Sequence, residues 1–344
     1  MMRQHRRMLT AALVALVALA LGMTACGGGG EESQTGGGTT GGGGEMKTLR
    51  MGIEPWIGYG PWWVADAKGF DKKNGVDIKI TNFTTDADIN SAFAAGRIDA
   101  ENLATHTGLR FLGSGIDLKF VLFEDVSRTA DAILAGPDIQ SVNDLAGKKV
   151  AFEEGTTSDI LLRYALAQNG MTLDDVDVVP IPASDAGSAV IAGRVEAAVT
   201  YEPYLTAALK QGKGFHLVYS AGEQPGLISD LLAVNPDYAS ENGDAVVAAL
   251  KAWGEAMDFY NSNPDEAQAI IAEKVGAKPE ELKESFAGVD LYDLEKSQNF
   301  ISSEWLPLAA QVIDVLKSQK DGLESVPDAK AATDDSFLKK ALGQ

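Results

Sequence analysis

Phe93-Ala94-Ala95-Gly96-Arg97-Ile98-Asp99-Ala100 and Val190-Ile191-Ala192-Gly193-Arg194-Val195-Glu196-Ala197 are one pattern written twice, about 100 residues apart. Each reads as the end of an apolar helix, a glycine able to take the left-handed stop, and a β-branched run that starts a strand. The match extends outward on both sides. Upstream of the first copy lie Leu49-Arg50-Met51-Gly52-Ile53, an apolar helical stretch from Trp62 to Phe70, and Gly75-Val76-Asp77-Ile78-Lys79-Ile80. Upstream of the second lie Lys149-Val150-Ala151-Phe152, a helix from Asp159 to Asn169, and Val176-Asp177-Val178-Val179-Pro180-Ile181. Both halves therefore read strand, helix, strand, helix, Gly-Arg, strand, helix. That alternation predicts an α/β protein of two similar Rossmann-like lobes, each a parallel sheet covered by helices, around a central cleft.

Beyond the second copy, Phe215 to Ser220 and Leu227 to Val234 read as strands, the latter returning the chain to the first lobe. Helices are expected at Ala245 to Tyr260, Pro264 to Lys274, Pro279 to Phe286 and Trp305 to Lys317, with a short one at the end of the chain. Ser141 and Asp144 form an S-x-x-D capping signal. The expected division is 47–132 plus 228–344 for lobe one and 133–227 for lobe two, with crossings near Asp131 to Leu134 and near Leu227 acting as a hinge.

The N-terminal segment reads separately. Arg3, Arg6 and Arg7 precede an apolar run from Leu9 to Leu21, too short to span ~30 Å of hydrocarbon, so residues 1–25 are read as a signal peptide. Cys26, the single cysteine, follows Met23-Thr24-Ala25 and opens a tract, 26–46, that is more than half glycine. Such a tract cannot bury enough surface to fold and reads as a tether with a typical span of about 25 Å.

Removing the leader leaves 26 basic against 49 acidic residues, a formal charge of −23, which argues against nucleic acid and against electrostatic attachment to an anionic membrane. Only His106 and His216 remain among histidines, so zinc, iron-sulfur and Cys-His nucleophilic chemistry are not expected, and neither is a cofactor. A composition 45% hydrophobic supplies a sizeable core.

In open α/β sheets ligands collect beyond the carboxyl ends of the strands. The loop after the first strand, Glu54-Pro55-Trp56-Ile57-Gly58-Tyr59-Gly60-Pro61-Trp62-Trp63, is dense in aromatics, and its counterpart is Glu153-Glu154-Gly155-Thr156-Thr157-Ser158 at a helix N-terminus. Candidate ligand contacts are Glu54, Trp56, Tyr59, His106, Arg128, Thr156, Thr157, Tyr201 and Glu202. Each also has a structural reading. Trp62 and Trp63 are expected in the core, Thr156 and Thr157 can cap a helix, and His106 can be a surface histidine. Arg128 can bridge Asp125 or Asp131 instead of meeting an oxyanion. Helix N-termini and Arg128 favour an anion, whereas Glu54, Glu101, Glu153, Glu154 and Glu202 favour an amine; a zwitterion or a hydrogen-bonding heterocycle reconciles the two.

These segments, with Ser141-Val142-Asn143-Asp144-Leu145-Ala146-Gly147-Lys148-Lys149-Val150 and Val199-Thr200-Tyr201-Glu202-Pro203-Tyr204, resemble the solute-binding proteins of bacterial ABC importers over most of residues 48 to 265. The resemblance is to the nitrate, sulfonate and taurine group, which includes the thiamine-pyrimidine binders of the SsuA/THI5-like, or NMT1-like, class. It implies a type II periplasmic-binding-protein fold and a monomer that captures a small solute of sulfonate, taurine or nitrate type by lobe closure. The implied partner is a permease with its ATPase. Met23-Thr24-Ala25-Cys26 resembles a bacterial lipobox, which implies lipidation of Cys26 and anchoring on the extracytoplasmic face of the cell membrane. Alternatives are a binder of a thiamine-related pyrimidine or another amine or heterocycle, and a sensor or adhesive domain. An enzyme is not expected, because the THI5-like catalytic branch looks to a cysteine-rich motif and histidine chemistry that this chain lacks.

Overall fold

Glycine at the end of each repeated helix and β-branched residues after it set the local geometry of both halves in the same way. In the computed structural model, which describes residues 46–319 and 322–344, Gly96 and Gly193 take φ of 66° and 68°. The leader, Cys26 and the tether up to residue 45 lie outside the described residues. The Arg97 N–H reaches Ala92 O at 2.9 Å and Gly96 reaches Phe93 O at 2.9 Å; Arg194 and Gly193 make the corresponding bonds to Ala189 O (3.0 Å) and Val190 O (2.9 Å). Both stops are Schellman motifs. The acid two residues later has one job in both copies. Asp99 Oδ2 accepts from the Arg50 N–H at 2.9 Å and Glu196 Oε2 from the Lys149 N–H at 3.0 Å, locking the third strand of each half to the first.

The elements follow in order. The first half contains β1 (Lys47–Ile53), α1 (Gly60–Lys68), α2 (Phe70–Asn74), β2 (Val76–Asn82), α3 (Asp86–Ala94), β3 (Ala100–Ala104), α4 (Thr105–Gly113) and β4 (Lys119–Ser127). The second contains β5 (Asp131–Ala135), β6 (Lys149–Phe152), α5 (Thr157–Gln168), β7 (Asp177–Pro180), α6 (Ala183–Ile191), β8 (Ala197–Tyr201), α7 (Tyr204–Leu209) and β9 (His216–Ser220). The chain returns through β10 (Ser229–Val234) into α8 (Pro236–Glu241), α9 (Gly243–Ser262), α10 (Pro264–Lys274) and α11 (Pro279–Ala287). It ends with β11 (Val289–Leu291), α12 (Leu294–Ser303), α13 (Trp305–Lys317), α14 (Ala329–Ala332) and α15 (Ser336–Ala341). Neither β11 nor α12 is expected from the sequence pattern. The signal at Ser141 and Asp144 forms a reciprocal capping box on a 3₁₀ turn at Val142–Leu145.

Two sheets result, ordered β11-β4-β10-β3-β1-β2 and β7-β6-β8-β5-β9. In each, the first three repeat strands are parallel neighbours, and the next strand lies antiparallel beside the third: β10 beside β3, β5 beside β8. Those two inserted strands are the ones that arrive from the other half. Asp131 already pairs opposite Tyr201 in the second sheet, so the first crossing lies at 128–130, earlier than the expected division after 132. The crossings touch, since the Ser127 N–H donates to Ile228 O at 3.0 Å.

The helix Trp305–Lys317 is not a satellite of the first lobe alone, as a division by sequence would have it. It packs against both α4 and α5. Trp305 and Leu308 join one apolar cluster with Phe120 and Phe123 of β4 and with Phe152 and Leu161 of the second half. Trp305 is fully buried, and its Nε1–H donates to Thr333 Oγ1 at 2.9 Å. Just past this helix, Gln319 donates to Asp159 Oδ2 at 2.9 Å and accepts from Arg110 of α4. Trp305→Ala leaves a cavity where these elements meet and is expected to cost about 3–5 kcal/mol of unfolding free energy, measured by urea denaturation.

Candidate functional site

The carboxyl ends of the repeat strands in both halves open onto one cavity of about 520 Å³. Glu54, Trp56 and Tyr59 reach it from the loop after β1, Thr84 and Thr85 from the loop after β2, and Glu101, Asn102 and His106 from β3 and the start of α4. Opposite them stand Glu153, Thr156, Thr157 and Ser158 before and at the start of α5, Ser184 on α6, and Tyr201 at the end of β8. Asp131 and Asp230, on the strands that follow the two crossings, also line it. Seven expected residues, Glu54, Trp56, Tyr59, His106, Thr156, Thr157 and Tyr201, therefore share one space.

The aromatic loop is shaped by acids beneath it. Trp56 Nε1–H donates to Asp125 Oδ2 at 3.2 Å, the Tyr59 hydroxyl to Asp230 Oδ1 at 3.0 Å, and Trp62 Nε1–H to Glu124 Oε1 at 2.8 Å. Position 58 must be glycine for this approach, because a Cβ there would lie 1.8 Å from Asp125 Oδ2. Across the cavity the Trp56 and Tyr201 rings meet edge to face at 6.3 Å, one from each half.

The second half supplies a hydroxyl-rich helix start. Gly155 turns the chain at φ 82° and its N–H donates to Asp159 Oδ2 at 2.9 Å, so Asp159 rather than Thr156 satisfies this turn. The Thr156 hydroxyl donates back to Glu153 O at 3.0 Å. Glu153 Oε2 accepts from the Ala183 N–H at 3.0 Å, tying the starts of α5 and α6 together. His106 is buried, not on the surface, and its Nε2 lies 3.4 Å from the Thr107 hydroxyl. Burial, then the Arg110 guanidinium, pushes its imidazole down to about 3, so it is neutral at physiological pH.

Two expected contacts are corrected. Arg128 neither lines the cavity nor bridges Asp125 or Asp131; its guanidinium pairs with Asp290 Oδ2 at 2.8 Å, an acid supplied by the short strand β11. Glu202 turns away from the cavity. Its carboxylate accepts from the Thr206 N–H (3.1 Å), the Thr206 hydroxyl (2.8 Å) and the Ser285 hydroxyl (3.1 Å), so it caps α7 and ties it to α11. Among the lining residues not singled out from sequence are Asn102, Asp230, Thr84, Thr85 and Ser184, and Asp131 is expected only as a partner of Arg128. For Asp230 a signal existed, a carboxylate inside the apolar run Leu227 to Val234.

Charge is lopsided. Glu54, Glu101, Asp131, Glu153 and Asp230 line the cavity, and among the described residues lining it there is no lysine or arginine. Burial, then the Asp230 and Glu124 charges, holds the Asp125 carboxyl well above the usual carboxylate range, and burial does the same for Glu124. Burial pushes Asp131 up to about 7, with Asp230 and Glu202 adding to it against a Ser127 hydrogen bond. Among the described residues no group of three or more His, Cys, Asp or Glu is placed to hold a metal ion. No helix among them is long and apolar enough to cross a membrane.

A family model described as NMT1/THI5 like matches residues 56–267. A protein of Brucella abortus (strain 2308), provisionally named a binding protein, is 30% identical over 225 residues, 61% of this chain and 65% of that relative; the match thus spans slightly under two thirds of its length. A protein of Bacillus subtilis (strain 168), provisionally named an aliphatic-sulfonate-binding protein, is 26% identical over 305 residues, 87% of this chain and 89% of the relative. The crystal structure of the periplasmic aliphatic sulphonate binding protein SsuA from Escherichia coli superposes with a TM-score of 0.65 at 23% identity, covering 77% of this chain and 91% of that one. The shared architecture is the type II periplasmic-binding-protein fold.

Glu202→Ala removes the acceptor of three hydrogen bonds and is expected to destabilise the protein by on the order of 2–4 kcal/mol in chemical denaturation. Asp131 behaves oppositely. Its carboxyl titrates near ~4 when unfolded and at about 7 when folded, so the folded state holds the extra proton between those values, and stability falls as pH rises through that window. Asp131→Asn is therefore expected to stabilise the ligand-free protein at pH 8 by on the order of 1–3 kcal/mol and to flatten the decline in Tm between pH 5 and 8.

Proposed function

The chain belongs to the NMT1/THI5-like family, and on that premise we propose that it is the extracytoplasmic solute-binding component of an ABC importer. The observation that supports this most directly is a single cavity lined from both halves at the carboxyl ends of their strands. A solute seated there touches Trp56 and Asp230 on one side and Tyr201 and Thr156 on the other. Contacts from both sides favour the shut arrangement over the open one, and differential affinity for the two arrangements drives closure.

The crossings at 128–130 and 221–228 serve as the hinge, with lobe one and lobe two rotating about them. The shut form presents its surface to a permease with its ATPase. Lipid on Cys26 moors the protein outside the cell, on the extracytoplasmic face of the membrane. Catalysis has no place in this reading. A sulfonate, taurine or nitrate-like solute is what the names of relatives offer, while the acidic lining supports the amine or heterocycle alternative.

Closure is tested by small-angle scattering of the purified protein titrated with taurine, ethanesulfonate, nitrate, amines and a pyrimidine. The radius of gyration is expected to fall with the cognate class, and a solute at 100 times its Kd adds about 2.7 kcal/mol of stability. Binding without compaction in scattering sinks the importer reading. Compaction without co-purification of a permease turns the reading to a sensor.

A further inference from the structure

We infer that the solute is a compact organic cation carrying N–H donors, an ammonium or a guanidinium, seated among the carboxylates of Glu101, Asp131 and Asp230 and the amide oxygen of Asn102. This deepens the importer reading and rests on it.

The first support is the acidic lining, which among the described residues contains no lysine or arginine. His106 contributes no compensating charge, being neutral. An oxyanion placed there would meet several negative groups at short range, a repulsion that is unfavourable and grows as water is excluded.

Independent of charge is Asn102. It lines the cavity and is only 2% exposed. Its Nδ2 donates to Gly52 O at 2.7 Å, which fixes the amide plane, and its Oδ1 then has no hydrogen-bond partner in the protein. Buried acceptors in folded proteins are almost always satisfied. An ionised carboxylate cannot donate to it, and neither can a nitrate or a sulfonate. An N–H group can, and a guanidinium or ammonium has donors left over for the neighbouring carboxylates.

The aromatic walls fit the same ligand. Trp56 is pinned by its bond to Asp125, and Tyr201 stands edge-on to it from the other half. Together they offer π-faces to a cation held between the lobes. The Thr156 and Ser158 hydroxyls already donate to Glu153 O, at 3.0 and 3.1 Å, so what they offer the far end of the solute is acceptor oxygens.

The groups facing Asp131 are Ser127 on β4, Asp230 on β10, and Tyr201 and Glu202 at the end of β8. None is cationic. Cation binding therefore draws Asp131 toward its ionised form, and affinity falls as pH drops from 8 to 5 and the carboxyl takes up a proton.

The test is calorimetric titration of the full chain at pH 8 with methylguanidine, agmatine and ethanolamine, set against ethanesulfonate and nitrate. At least one cation is expected to bind and neither anion, with affinity reduced about tenfold or more by Asp131→Asn and by Glu101→Gln. Because Asp131→Asn is expected to stabilise the fold, its loss of binding is not a loss of structure. The pH dependence should flatten in that variant. Silence from all three cations up to about 10 mM, or anion binding that Asp131→Asn leaves intact or strengthens, overturns the inference. Anion binding that still compacts the protein in scattering leaves the importer reading standing, whereas cation binding without compaction removes the importer reading and leaves the cation subsite.

Discussion

Everything in the cleft is arranged around a layer of carboxyl groups buried where the two sheets approach each other. Glu124 and Asp125 on β4 and Asp230 on β10 occupy neighbouring strands, with Asp230 in register opposite Asp125, and Asp131 begins the strand just past the crossing. Burying acids costs free energy unless hydrogen bonds or opposite charge offset it. For Asp125, Asp230 and Glu124, donors come from one short segment, Trp56, Tyr59 and Trp62. That loop is aromatic because indole and phenol groups deliver a donor on an apolar body, and so reach acids that a lysine could reach only by carrying its own charge into the core. Gly58 follows from the same requirement, since the Asp125 carboxylate rests against its backbone.

The position of these acids joins charge to movement. β4 and β10 carry three of them, and the same two strands run into the crossings that connect the halves. Asp131 and Tyr201 belong to one half, Asp230 and Trp56 to the other, so on the proposed reading a positive group between them is fully surrounded only when the halves come together. On the proposed reading, the electrostatic preference for ligand and the preference for the shut form are a single free-energy difference, because the contacts that distinguish the two arrangements are those that recognise the solute. Helix α13 limits how freely the halves can part, since the Trp305 cluster and the Gln319 bonds join elements of both.

The duplicated Gly-Arg segment carried most of the architecture because its consequences are local. A glycine stop, a β-branched run and an acid that returns to the first strand all act within a few dozen residues, and the structure repeats them bond for bond. Strand ends were equally legible, which is why seven candidates converge on one cavity. Arg128 and Glu202 were misplaced because their partners are remote: Asp290 lies on a three-residue strand with no periodicity to announce it, and Ser285 is 83 residues from Glu202. Asn102 gave no signal at all. Its role depends on an amide fixed by Gly52 O, a fact of three-dimensional packing rather than of residue type.

An excess of acid in the sequence thus divides into two populations that residue type alone cannot separate. Asp99 is met by Arg50, Asp159 by the Gly155 N–H, Arg163 and Gln319, and Glu202 by three donors from α7 and α11. These carboxylates are consumed by the fold, and each holds two elements together. Asp125 and Glu124 receive only a neutral indole each at the bonds described, and with Asp131 they are held above the ordinary carboxylate range by burial. Of these, Asp131 alone lines the cavity; a cation arriving there stabilises its carboxylate more than a neutral donor does, because a charge-assisted hydrogen bond is roughly twice as strong as a neutral one. On the proposed reading, the distinction between a structural acid and a recognition acid is therefore set by the donors the fold supplies.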